Sequence, residues 1–138
     1  MIVVRVTSQL QHKLSATSLA PSLLIERFSF WKENGQDSSY WFGRDQTDPA
    51  TQLSHAHMAP VTPGADKDGW DEAWSKRQHG KRKSDGYVLY THHSRYGYLL
   101  IDVLFDPGAH DLWIPSHKQQ LIGYETVADN FQFNGSTP

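Results

Sequence analysis

Two apolar, aromatic-rich runs separated by a few polar residues constrain this chain more than anything else in it. Tyr87-Val88-Leu89-Tyr90-Thr91-His92 and the stretch from Tyr96 to Phe105 read as the two strands of a β-hairpin. Alternation along the second run puts Leu99, Ile101, Val103 and Phe105 on one face, which is expected to point into the core. Pro107-Gly108 ends that strand.

The remaining elements are arranged around the hairpin. Residues 2–7 alternate, with Ile2, Val4 and Val6 on one side, and predict a short strand. A helix is expected from about Ser18 to Gly35, with Pro21 tolerated in its first turn and Leu19, Leu23, Phe28 and Trp31 at near-helical spacing. Ser38 to Asp45 reads as loop or extended chain, His55-Ala56-His57-Met58 as a short strand, and residues 60–85 as a long loop with at most one helical turn near Asp71 to Trp74. A last helix is expected near Ser116, where Ser116 and Gln119 have capping-box spacing, with Leu121, Tyr124, Ala128 and Phe131 as its apolar stripe. Asn134-Gly135 closes it and leaves a polar tail over 134–138. This order predicts an α+β domain: a mostly antiparallel sheet of about four strands with helices packed on one face.

The 138 residues suit one domain spanning 1–138, and no apolar run approaches the length of a membrane span. Without cysteine, neither a disulfide framework nor a cysteine-ligated zinc is possible, so a cytoplasmic protein is the expectation. The net charge of −2 hides an asymmetry. Lys76, Arg77, Lys81, Arg82 and Lys83 lie within eight positions, and the rest of the chain carries 8 basic against 15 acidic residues, or −7. One basic segment on an acidic body can bind phosphate locally, although a solvated loop accounts for it equally well.

Eight histidines are the surplus in the composition. His55 and His57, two apart on a strand, project to the same side, which suits a proton-transfer site, a metal, or simply a polar open face. No carboxylate follows them before Asp66, so a complete ligand set is lacking nearby and no metal or cofactor is expected. In Phe42-Gly43-Arg44-Asp45, Gly43 would let the backbone turn and aim Arg44 outward to grip a phosphate, unless Arg44 and Asp45 merely close a turn. Tyr90 and His92 share a face of the hairpin by alternation, and Lys83 stands at its mouth.

Taken in order, these strings resemble the YafO-type toxins of bacterial toxin–antitoxin pairs. The matching pieces are Phe42-Gly43-Arg44-Asp45, His55-Ala56-His57-Met58, Lys83-Ser84-Asp85-Gly86-Tyr87-Val88-Leu89-Tyr90 and Tyr98-Leu99-Leu100-Ile101, followed by Ala109-His110 and Ala128-Asp129-Asn130-Phe131. The resemblance covers roughly residues 25–132 and departs in the basic insert around 67–83 and the Gly-Ser-Thr-Pro end. It implies a compact RelE-like domain and a ribosome-dependent endoribonuclease that cuts mRNA and is held inactive by an antitoxin.

Metal-free RNA cleavage needs a base for the ribose 2′-OH, a cation for the phosphorane and an acid for the 5′-oxygen. The residues expected to supply these are His55, His57, Arg44, Lys83, Tyr90 and His92, with Lys76, Arg77, Lys81 and Arg82 contacting RNA or ribosome. Two other classes remain open. One is a toxin that binds a protein target such as gyrase; the other is a non-catalytic RNA-binding domain using Trp70 and Trp74, which could equally cover the core edge.

Overall fold

The computed structural model describes residues 2–138. Five strands form one sheet: β1 (Val4–Val6), β2 (Phe42–Thr47), β3 (Ser54–Met58), β4 (Tyr87–His93) and β5 (Gly97–Leu104). Their spatial order is β1-β5-β4-β3-β2, with β1 parallel to β5 and every other pair antiparallel. The class is α+β, and the hairpin of β4 and β5 is its centre. The expected four strands become five because Phe42–Thr47, overlapping the stretch read as loop or extended chain, pairs along β3 as the edge strand.

Helices α1 (Ser8–Ser15), α2 (Pro21–Asn34), α3 (Ala65–Ser75) and α4 (Lys118–Asn134) complete the chain. They occupy both faces of the sheet, not one. Leu10 and Leu14 of α1 pack with Leu24, Phe28 and Trp31 of α2 against Phe42, Ala56, Val88, Tyr90 and Leu100. On the opposite face, Ala128 and Phe131 of α4 pack against Tyr87, Leu89, Leu99 and Ile101. A sheet whose strands are apolar on both sides needs two covers, and the unbroken Tyr87-Val88-Leu89-Tyr90 run carries that signal.

Two β-bulges set which side chains face which layer. Leu89 pairs with Asp102 but Tyr90 pairs with Leu100, so Ile101 is an extra residue on β5. The alternation therefore breaks: Leu99 and Ile101 face α4, whereas Val103 packs with α1 and α2, and Phe105 is largely exposed. The single-face assignment of these four residues is corrected accordingly. The second bulge lies in β2, where Phe42 pairs with Met58 and Asp45 with Ala56, leaving Gly43 and Arg44 together opposite His57.

Local sequence explains the other departures. Helix α1 rests on Thr7, whose Oγ1 accepts the Leu10 N–H at 3.1 Å and donates to the Ile101 carbonyl at 2.9 Å, anchoring the cap to the sheet. Helix α3 replaces the expected long loop because Trp70 and Ala73 bury one face, with Trp70 Nε1–H donating to the Tyr40 carbonyl at 2.8 Å. Helix α4 begins at Lys118 after two short 3-10 turns, Ala109–Trp113 and Pro115–His117. No capping box forms, and Ser116 instead bonds to the ring of its neighbour His117.

Candidate functional site

Strand β3 presents His55 and His57 toward the α4 face, and three neighbours converge on them. Tyr87, opposite His57 on β4, is the hub: its ring centroid lies 4.8 Å from His55, 4.9 Å from His57 and 5.3 Å from His110. His110 stands on the 3-10 turn after β5, with its ring 5.8 Å from that of His57. Trp113, one turn further on, lies 5.0 Å from His55 and donates its indole N–H to Tyr87 Oη at 3.2 Å.

Asp85 fixes this arrangement. Its carboxylate takes the His110 ring at Nδ1 (2.6 Å) and the backbone N–H groups of His110 (2.8 Å) and Gly108 (2.5 Å). Burial acts to raise the Asp85 pKa, but these hydrogen bonds outweigh it and hold the carboxyl below its ordinary range. A carboxylate on Nδ1 orients an imidazole and leaves Nε2 for a substrate, the relationship that positions catalytic histidines generally.

Burial pushes His55 down to about 4, and the nearby Arg44 and His110 add to the effect against a smaller pull from Asp45. His57 is likewise pushed down to about 4 by burial, which outweighs its backbone bond to Ser84. Both rings are therefore neutral near pH 7. The Ser84 N–H and carbonyl each lie 2.8 Å from His57 Nδ1, so that nitrogen can accept from one or donate to the other and the ring is gripped in either state. The His55 ring makes no hydrogen bond to another described residue, so its lone pair is available.

Arg44 completes the site by virtue of the β2 bulge. It is exposed on the histidine side, and its N–H donates to the Arg82 carbonyl at 2.9 Å. Gly43 makes that approach possible without any turn. A Cβ there would sit 2.2 Å from the Arg82 carbonyl oxygen and 2.7 Å from the Trp70 ring. Lys83 is exposed immediately before Ser84, whose backbone holds His57.

The other expected site residues lie elsewhere. Tyr90 and His92 do share a face, but it is the opposite one, under α2. There Lys32 Nζ contacts Asp45 (3.3 Å) and Tyr90 Oη (3.0 Å), Tyr90 donates to Asp45 at 3.2 Å, and the His92 ring lies tilted with its centroid 4.2 Å from that of Tyr98. Burial opposes ionisation of Asp45, yet His79 and Lys32 bring it down to about 2; burial drives Tyr90 strongly up. This cluster is a separate polar network lining a small cleft, with Tyr90 buried and His92 exposed. The sheet lies between it and His55 and His57, so Tyr90 and His92 are not brought together with that pair.

Arg82 is also corrected. It is fully buried, donating to the carbonyls of Phe42 (3.2 Å) and Gln36 (2.8 Å) and to Asp37 (3.2 Å), so it ties the segment after α3 to β2 and cannot reach RNA. Lys76, Arg77 and Lys81 are exposed. Trp70, at 1% exposure, is unavailable for stacking on a base.

Sequence reasoning missed Asp85, Tyr87 and His110. Two of the strings it singled out, Lys83 to Tyr90 and Ala109-His110, contain all three without revealing that they meet. Among the described residues, no group of three or more His, Asp or Glu side chains is arranged to hold a metal ion, and no helix is long and apolar enough to cross a membrane.

Neither the curated proteins nor the solved structures give a significant match to this chain. The family profile of the toxin YafO of type II toxin–antitoxin systems matches residues 29–133, a span that holds β2 to β5, α3, almost all of α4 and every member of the histidine cluster. The chain belongs to the YafO toxin family of type II toxin–antitoxin systems.

Proposed function

We propose that this toxin is a RelE-like, ribosome-dependent endoribonuclease that cuts mRNA by metal-free acid–base chemistry and is silenced by its antitoxin. The observation that carries this reading is the convergence of His55, His57 and His110 on Tyr87, with His110 oriented by Asp85 and Arg44 at the rim. A site that only bound a protein would have no use for an oriented imidazole beside two neutral ones.

The roles follow from the environments. His55, its ring neutral and without a hydrogen-bond partner, takes the proton from the ribose 2′-OH, which then attacks the adjacent phosphorus. Arg44, with Lys83 as the second cation, balances the charge on the pentavalent phosphate. His110 gives a proton to the departing 5′-oxygen, and Asp85 holds its ring in place through Nδ1. His57 is a positioning residue, clamped by Ser84 against Tyr87. The exposed Lys76, Arg77 and Lys81 contact the ribosome or mRNA backbone.

A translation extract carrying a reporter mRNA tests this. Cuts should map to the ribosome-bound message, persist after the toxin has been treated with chelator and ribosomal magnesium restored, and vanish in His55→Ala and His110→Ala. Poisoned gyrase with intact mRNA would overturn the nuclease reading.

A further inference from the structure

Beside His55, a cavity of about 500 Å³ opens between the end of β2 and helix α4, within the range of small-molecule sites. Its apolar wall is Trp113, Leu53 and Leu121, and its polar rim is Gln46, Asp48 and Glu125. We propose that this cavity is a nucleobase subsite that selects the base next to the cut, and that it favours a base with hydrogen-bond donors on its edge, guanine above all. This inference rests on the nuclease reading and names the specificity element of that site.

Three observations support it. Trp113 is 45% exposed, a large cost for an indole, yet its N–H is bonded to Tyr87, so its orientation is set while a face stays open. An anchored, open aromatic face is what an unstacked base seeks. Second, the charge order along the histidine side of β2 is graded. Arg44 lies opposite His57, Gln46 opposite His55, and Asp48 just past the strand end. A nucleotide is negative at its phosphate and neutral at its base, so its phosphate belongs at the Arg44 end and its base at the Asp48 and Glu125 end.

Third, neither Asp48 nor Glu125 forms an ion pair among the described residues. Carboxylates only accept hydrogen bonds at neutral pH, and they repel a phosphate. Guanine offers its N1–H and amino group side by side to both oxygens of one carboxylate, while the Gln46 amide can donate to O6. Uracil presents a single such donor flanked by carbonyls and would face the acidic rim with its own oxygens.

The test maps cut positions on ribosome-bound mRNA for the unmodified toxin, Glu125→Gln, Trp113→Ala and Trp113→Phe, alongside titration of the toxin with guanosine and uridine followed by NMR. Expected results are cuts enriched beside guanine, loss of that enrichment in Glu125→Gln, and guanosine binding weakened about tenfold in Trp113→Ala but kept in Trp113→Phe. Cutting that has no base preference, or a preference unaltered in both Glu125→Gln and Trp113→Ala, would overturn the subsite while leaving the nuclease reading intact. If the toxin cuts no RNA, the nuclease reading fails by itself and guanosine decides the cavity. Saturable binding that Trp113→Ala weakens about tenfold supports it, and absence of binding, or binding unchanged in Trp113→Ala, refutes it.

Discussion

His110 Nδ1 lies 2.6 Å from Asp85 Oδ1, and the same oxygen also accepts the His110 backbone N–H at 2.8 Å. The carboxylate thus holds both the ring and the turn that carries it. Asp85→Asn would place an amide among these donors, disturbing the ring and removing the carboxylate that accepts from its Nδ1. Cleavage should fall by ~10²–10⁴ in Asp85→Asn and in His110→Ala, the usual cost of losing a general acid. Because His110 is exposed, His110→Ala should keep its thermal midpoint, whereas Asp85→Asn should lower it. Wild-type cleavage by His110→Ala would remove this histidine from the mechanism.

The depressed histidines tie stability to pH. Burial pushes His55 and His57 down to about 4 in the folded protein, against an ordinary value of ~6.5. Between those values the unfolded chain binds more protons, so stability rises with pH across this window and is lost as pH falls from ~6.5 toward 4. Asp45, held at about 2, gives up its contribution only at lower pH and does not confuse the reading. Melting curves between pH 7 and 4.5 should show the loss, and His55→Gln should flatten it. An equally steep fall in that variant would mean the cost of charging lies elsewhere.

Gly43 is tested most directly by adding one carbon. The new Cβ in Gly43→Ala would meet the Arg82 carbonyl oxygen at 2.2 Å, a backbone atom with no side-chain freedom to yield. Overpacking of this kind costs ~1–3 kcal/mol. Because the displaced bond is Arg44 N–H to Arg82, cleavage should decline along with stability in denaturant titrations. A variant as stable and active as the parent would show that β2 and the following segment are more loosely joined than their packing indicates.

The legible parts of this fold were those with local signals. The hairpin, the helix marked by Phe28 and Trp31, and the closing helix over Ala128 and Phe131 follow from periodicity, although Leu24 and not Leu23 is the leucine that α2 buries and Leu19 precedes the helix. Helix α1 buries only Leu10 and Leu14, too few apolar residues to mark it, and its cap depends on Thr7 bonding to a strand 94 residues away. Val103 was misplaced because a bulge inserts one residue, which reverses the face of everything beyond it. For the site, the His55 and His57 pair was readable because alternation on one strand is a local rule. Tyr90 and His92 obeyed the same rule, but alternation does not say which face of β4 meets the histidine face of β3. The Asp85–His110 pair spans 25 residues and exists only once β5 has closed the sheet.

The basic segment now divides into two kinds of residue with opposite expectations. Arg82 is buried and its guanidinium feeds two backbone carbonyls and Asp37. Arg82→Ala leaves those carbonyls unpaired and should cost on the order of 3 kcal/mol, seen as a lowered denaturation midpoint. Lys76, Arg77 and Lys81 are exposed, and Lys76 is tied only to Glu72 one helical turn away. Reversing these three to glutamate should change stability by only ~0.5 kcal/mol each. The same reversal should weaken ribosome association and flatten its salt dependence, because each phosphate contact removed releases fewer counterions. Titrating the reversed variant against both ribosomes and antitoxin settles what the strip does. Lost ribosome binding with an intact antitoxin complex assigns it to RNA, and the converse pattern assigns it to inhibition.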